Sequence, residues 1–190
     1  MSPLGDAIKN EMSWNKFQDF FHKIGERMNI KFRKSIKDDI PFINELFIEM
    51  VKTVNEKMIS EGIKPYENLD SGYEMGYLDD FYLNDDKVIF VALDNEKIIG
   101  FISVCNEKEY IYLDDYSVSQ KYRGKGIGSK LMEMAFEHAA YLGIYDILTH
   151  VESANKSSIA FYTKNGFELV EMQGHRLLIK KNLQNIKTMI

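Results

Sequence analysis

The sequence predicts an α/β fold, a mixed, largely antiparallel central sheet flanked by helices, with an extra helix in front. Three observations predict it. Short runs rich in β-branched and aromatic residues alternate with stretches of helical period. Two of those runs meet at a tight turn, Asp94-Asn95-Glu96-Lys97, so part of the sheet is a hairpin. A glycine-rich segment, Gly124 to Gly128, joins an apolar run to an amphipathic helix with nothing between.

Each element follows in turn. Residues 1–29 place Trp14, Phe17, Phe20, Phe21, Ile24 and Met28 on one face of a helix, expected to pack on the domain or on a partner chain. A strand is expected near Ile30 to Arg33. Asp38 or Asp39 would cap a helix from about Ile40 to Lys57, with Pro41 in the first turn, where proline is tolerated. An irregular acidic stretch runs from Glu61 to Asp86. The runs Val88 to Leu93 and Ile98 to Val104 form the hairpin. In Tyr110 to Val118, apolar Ile111 and Leu113 sit at odd positions but Tyr116 and Val118 at even ones. Side chains alternate with period two, so the switch predicts a bulge near Asp114-Asp115 that splays the strand from its neighbour. Ile127, Leu131, Met134, Ala135, His138, Ala139 and Leu142 recur at helical spacing, and Gly143 is the stop. Ile144 to Val151 reads as a strand, Ser153 to Asn165 as a helix, and Phe167 to Lys181 as a final hairpin around Gln173-Gly174.

Composition narrows the class. A chain of 190 residues is long enough for one domain with a full core, expected over 30–190 after the 1–29 extension. Its net charge of -5, with no basic run, argues against a nucleic-acid partner. No segment approaches the roughly 18 apolar residues of a membrane span, so no membrane partner is expected. Cys105 is the single cysteine, which excludes an intrachain disulfide and suits a reducing, cytoplasmic setting. His138, His150 and His175 lie on different elements without metal-ligand spacing, so no metal is expected.

The segment Arg123-Gly124-Lys125-Gly126-Ile127-Gly128-Ser129 has a physical meaning. Glycines let a ligand approach the backbone, and a helix N-terminus offers unbonded N–H groups and a partial positive charge. Together they cradle phosphate. A nucleotide P-loop needs Lys directly after its last Gly, but Ser129 stands there; a dinucleotide fingerprint needs a third Gly where Leu131 stands. What fits is Arg-x-x-Gly-x-Gly, carried by Arg123, Gly126 and Gly128.

That pattern resembles the acetyl-CoA pyrophosphate loop of the GNAT superfamily of N-acetyltransferases. The run Ala160-Phe161-Tyr162-Thr163-Lys164-Asn165-Gly166-Phe167 resembles its second signature, and the bulged strand resembles its fourth. The resemblance spans about Ile30 to Leu183 and implies a GNAT-like fold, acetyl-CoA as co-substrate without a metal, and transfer of an acetyl group to an amine.

The chemistry then assigns tasks. The N–H groups of Gly124, Lys125, Gly126, Ile127, Gly128 and Ser129 would hold the diphosphate, with Arg123 and Lys125 adding charge. By resemblance Asn155 would bond the pantetheine arm; it is equally an N-cap, and both roles can hold together. Val118 is the expected backbone donor to the oxyanion. Tyr162 matches the family's general acid, and a phenol stays protonated at neutral pH. Asp114 and Asp115 would bind the acceptor ammonium or take its proton. Tyr112-Leu113-Asp114-Asp115-Tyr116 also resembles the acidic strand segment of polyamine acetyltransferases. The variable stretch after the Ile40 to Lys57 helix would supply the rest of the acceptor wall. Its acids Glu61, Glu67, Asp70, Glu74, Asp79, Asp80, Asp85 and Asp86, interleaved with Tyr66, Tyr73, Tyr77 and Tyr82, suit a cationic amine. Most of these residues read equally as an ordinary solvated surface. A small cationic amine is the expected acceptor. The alternatives are a protein lysine or N-terminus, a non-catalytic acyl-CoA sensor, or, against the spacing, an NTP- or NAD-using enzyme. A homodimer is among the assemblies expected.

Overall fold

The computed structural model describes residues 30–67 and 77–184. The expected helix within 1–29, and Asp70, Tyr73 and Glu74 of the acidic stretch, lie outside the described residues.

Seven strands form one sheet in the order β1-β2-β3-β4-β5-β7-β6. They are β1 (Ile30–Lys34), β2 (Lys87–Asp94), β3 (Lys97–Asn106), β4 (Ile111–Val118), β5 (Asp146–Glu152), β6 (Glu168–Gln173) and β7 (Arg176–Asn182). Every pairing is antiparallel except β4 with β5. The helices are α1 (Ile40–Ser60), the short α2 (Asp80–Leu83), α3 (Ile127–Leu142) and α4 (Lys156–Lys164). The predicted elements are all present from Ile30 to Asn182, mostly within two residues at each end.

The sheet is covered on both faces. Ile43, Phe47 and Val51 of α1 pack with Ile89, Val91 and Phe101 on one side. Leu131, Met132 and Ala135 of α3, with Tyr162 of α4, pack with Ile99, Ile102 and Leu113 on the other. Strand β3 lies between both layers, which is why Ile98 to Cys105 is buried without alternation. Two details of α3 differ from its sequence pattern. Met132 is fully buried, whereas Leu142, in the terminal turn where the helix outlasts its cover, is 39% exposed.

The β2–β3 turn is the two-residue type expected, with Asp94 paired to Lys97 and Asn95 and Glu96 both at positive φ. Helix α1 starts differently from expectation. Asp39 stands at the N-cap but accepts no helix N–H. Its buried carboxylate instead accepts the Arg33 fork at 2.6 and 2.9 Å and the Ile36 N–H at 2.8 Å. A 3-10 turn over Lys37–Asp39 carries the chain into the helix. Burial alone would lift the Asp39 carboxyl, but Arg33 and the Ile36 N–H outweigh it and hold it below the ordinary carboxylate value. The folded value is therefore below the unfolded one, so this stabilisation is complete above the unfolded value, near pH ~4, and is lost as pH falls through the folded value. Asp39→Ala should cost about 1–3 kcal/mol, since it leaves a partly buried guanidinium unpaired. Thermal melts from pH 3 to 7 check it: the variant's deficit should shrink at the acid end, and a pH-independent deficit would count against this pairing as its cause.

Candidate active site

The site begins with the bulge. Ile102 pairs with Tyr116 but Val104 pairs with Leu113, so Ser103 alone faces both Asp114 and Asp115. Its hydroxyl accepts the Asp115 N–H at 2.8 Å and donates to the Asp115 carbonyl at 3.2 Å, filling the gap in the ladder. The extra residue bends β4, and its parallel pairing with β5 is confined to Ile111 with Ile147 and Tyr112 with Leu148. At the apex the Thr149 hydroxyl donates to the Leu113 carbonyl at 2.7 Å. Beyond that point the two strands diverge.

The split exposes main chain. Ser119 N–H donates to Ile99 of β3. Successive strand N–H groups point to opposite edges, so those of Tyr116 and Val118 turn toward the split. Ser117 Oγ is, among the described residues, the buried side-chain polar atom with no hydrogen-bond partner.

One cavity, of about 400 Å³, runs along this split between α1, the glycine loop and the start of α4. Its lining includes Ser117, Val118, Arg123, Gly126, Gly128, Ser129 and Asn155. Gly124 and Gly126 have φ of 75° and 81°, which L side chains rarely adopt. Gly126 is the N-cap of α3 and has no side chain to bond the first helix N–H groups, which stay available to an anion. A Cβ on Gly128 would collide with the Tyr116 hydroxyl, so any larger residue there requires Tyr116, which lines the cavity, to move. Arg123 Nε donates to the Val118 carbonyl at 2.8 Å, which ties the loop to β4. Lys125 lies instead over the Tyr122 ring, 5.1 Å from its centroid. Asn155 caps α4 by accepting the Ser158 N–H. The buried orphan hydroxyl, the glycine cradle and the cationic rim fit the diphosphate and amide-rich arm of a coenzyme A.

A second cavity, of about 410 Å³, adjoins the first, and Tyr116 and Asn155 line both. Asp114, Asp115, Glu152, Tyr66, Tyr77, His150 and Tyr162 line it. Both aspartates reach one cavity because the bulge breaks their alternation. Tyr77 donates to Asp114 and Tyr66 to Glu152. Tyr66 is held there by Asn55 of α1, whose side chain bonds the Tyr66 N–H at 2.9 Å and carbonyl at 3.1 Å. Burial, reinforced by these carboxylates, pushes both phenols above their ordinary range. Tyr162 is 6% exposed, and burial raises its phenol too, so it keeps its proton.

The structure thus brings Asp114, Asp115, Val118, Asn155 and Tyr162 to two adjoining cavities together with Arg123, Gly124, Gly126, Ile127, Gly128 and Ser129 of the loop, whereas Lys125, also expected there, lines neither. It divides the variable stretch between the two readings: Tyr66 and Tyr77 line the second cavity, whereas Glu61, Glu67, Asp79 and Asp80 pair with lysines at the surface. Tyr82 bonds Ser35. Residues that spacing did not single out arrive from β5 and β7. His150 Nδ1 meets the Tyr112 hydroxyl at 2.8 Å, and Glu152 meets His175 at 2.6 Å and Arg176 at 3.4 Å. Two signals were present: His150 and Glu152 share one face of β5 by alternation, and β5 enters the Asn155 helix. Cys105 is buried and its thiol is pushed up to about 12 by burial and Asp114, so it is no nucleophile.

Comparison with known proteins follows the same line. The paiA N-acetyltransferase of Thermoplasma acidophilum, solved in complex with coenzyme A, superposes with a TM-score of 0.69 at 24% identity, covering 82% of this chain and 99% of that one. This likeness concerns the fold. Mycothiol acetyltransferase of Corynebacterium glutamicum is 34% identical over 95 residues, which is 48% of this chain and 31% of that protein. N-alpha-acetyltransferase 30 of Schizosaccharomyces pombe is 30% identical over 84 residues, 41% of this chain and 55% of that protein. The chain therefore spans only about a third to a half of the length of these curated relatives. Among the described residues no helix is long and apolar enough to cross a membrane. The family model described as "Acetyltransferase (GNAT) family" matches residues 55–167, which contain the bulge, the glycine loop and Tyr162. With more than half of its length matched by that model, and with this sheet, the chain belongs to the GNAT acetyltransferase family.

Proposed function

We propose that the protein transfers the acetyl group of acetyl-CoA to a primary amine of a small, cationic acceptor, by direct attack in a ternary complex. The observation that carries this is the pair of adjoining cavities, one with a glycine cradle and the other with three carboxylates. Backbone N–H groups of Gly124 to Ser129, with Arg123 and Lys125 contributing charge, hold the diphosphate. Asn155 donates its amide to the pantetheine arm. The Val118 N–H would donate to the thioester oxygen; one such donor is typically worth about 2.7–4 kcal/mol of barrier. Tyr162 gives its proton to the departing thiolate. Asp114 and Asp115 draw in the ammonium, and they or His150, which lines the same cavity, take the proton that the amine must lose. A cytoplasmic setting and a small-molecule rather than nucleic-acid or membrane partner belong to the same proposal.

The three carboxylates and two tyrosines favour a cationic acceptor through charge and cation–π contact. A protein N-terminus is the second reading, favoured by the likeness to an N-alpha-acetyltransferase. Incubation with acetyl-CoA and a library of diamines, aminosugars and short peptides, read by mass spectrometry, separates them. Cofactor binding without transfer to any amine would sink the proposal in favour of a sensor. Asp115→Asn should raise the acceptor KM about tenfold or more, because a charge-assisted contact is worth about 1.5–3 kcal/mol. The Kd for acetyl-CoA should stay unchanged, and loss of cofactor binding would refute the acceptor role.

A further inference from the structure

Lys57, in the last turn of α1, crosses the cofactor cavity. Its ammonium donates to Asn155 Oδ1 at 2.7 Å and to Ser157 Oγ at 2.9 Å, tying α1 to residues 98 and 100 positions further along the chain. Both acceptors are neutral, and among the described residues Lys57 enters no ion pair with a carboxylate. Its charged neighbour is another cation, Arg123, on the opposite lip of the same cavity. Burial first, then Arg123, push its proton affinity below the ordinary lysine value. Two cations turned toward one cavity, without an anion of their own, are stabilised by an anion set between them.

We propose that Lys57 is a further cofactor-binding residue, with its ammonium and the Arg123 guanidinium closing on the diphosphate of coenzyme A from opposite lips. The inference rests on the cofactor reading above. It gives α1 a part in the cofactor site, although the sequence features for that site lie in the bulged strand, the glycine loop and the α4 segment. Glu49 of α1 also accepts the Gln120 N–H at 3.0 Å, so the helix is tied to the loop lip as well as to the α4 lip. In the bridge seen here, Asn155 Oδ1 is filled by Lys57, Ser157 and Ser158, which leaves its Nδ2 to donate to the pantetheine arm.

The test is calorimetric titration of the full chain and its Lys57→Gln and Lys57→Arg variants with coenzyme A, dephospho-CoA and pantetheine. Lys57→Gln removes the charge and keeps an amide donor on a side chain one bond shorter, and because the contacts it gives up are to neutral acceptors its melting temperature should fall little. Its affinity for coenzyme A should fall about tenfold or more, in line with loss of one charge-assisted contact. Dephospho-CoA, which keeps the diphosphate, should lose as much, while pantetheine should lose nothing. Lys57→Arg should recover most of the affinity. Unchanged coenzyme A binding by Lys57→Gln would overturn the proposal, as would an equal loss on pantetheine, which would reduce Lys57 to a prop for Asn155. A loss confined to coenzyme A and spared on dephospho-CoA would move the contact to the 3′-phosphate and overturn the diphosphate assignment. A parent chain that binds none of the three ligands would instead overthrow the cofactor reading, and this inference with it.

Discussion

Tyr162→Phe is expected to lower kcat by about 10²–10⁴-fold while leaving the Kd for acetyl-CoA within a factor of two, because general acid catalysis contributes about that much. Only the hydroxyl is removed. The ring keeps its edge contacts with Phe167 at 5.1 Å and with Phe161 at 5.7 Å, so the α3–α4 layer stays packed. Burial holds the phenol above its ordinary value, so it is protonated at neutral pH and available to the thiolate at every turnover. No loss of rate from deprotonation of Tyr162 is therefore expected between pH 6 and 9. Steady-state assays of free thiol, together with direct titration of the cofactor, check both halves. An unchanged kcat removes Tyr162 from the mechanism, and a matching fall in cofactor affinity or melting temperature assigns it to the core instead.

Gly128→Ala is expected to weaken coenzyme A binding at least tenfold and to destabilise the fold by about 1–3 kcal/mol, the usual range for overpacking. The new Cβ would stand 1.7 Å from the Tyr116 hydroxyl and 3.1 Å from the carbon that bears it. A tyrosine tip could swing away from an open surface. Here the ring is stacked on Phe161, with centroids 5.1 Å apart and planes 12° apart, and it lines both cavities. Any swing therefore moves either the glycine loop or the junction between the cavities. A rescue isolates the cause. Adding Tyr116→Phe removes the nearest clash and should restore most of the affinity and the melting temperature. If the double variant binds no better than Gly128→Ala alone, the collision with Tyr116 is not what makes glycine necessary.

Different parts of the site were legible to different degrees. The bulge at Asp114-Asp115 could be read because strand side chains alternate strictly, so one parity change signals one inserted residue. The cradle could be read because positive φ and an open approach leave glycine at Gly124 and Gly126. The helix cap at Asn155 was equally local. At Asp39 the same logic misled. A carboxylate before a helix usually caps it, but Arg33 on the neighbouring strand offered a charged fork and a nearly buried seat, and that partner won. In the acidic run from Glu61 to Asp86 composition left wall and solvated surface both open, and only the structure sorted them: Glu61, Glu67, Asp79 and Asp80 found lysines at the surface, while Tyr66 and Tyr77 turned to the cavity.

The sequence by itself determined the order of elements, the splay in the sheet and the glycine turn into α3, because each depends on residues adjacent along the chain. Only the tertiary structure decided what stands across from them. Glu152 with Tyr66 and Lys57 with Asn155 are pairings between distant residues, on elements that the sheet and α1 bring to one split. A charge or a hydroxyl takes its preferred partner through space, and no periodicity along the chain records that choice.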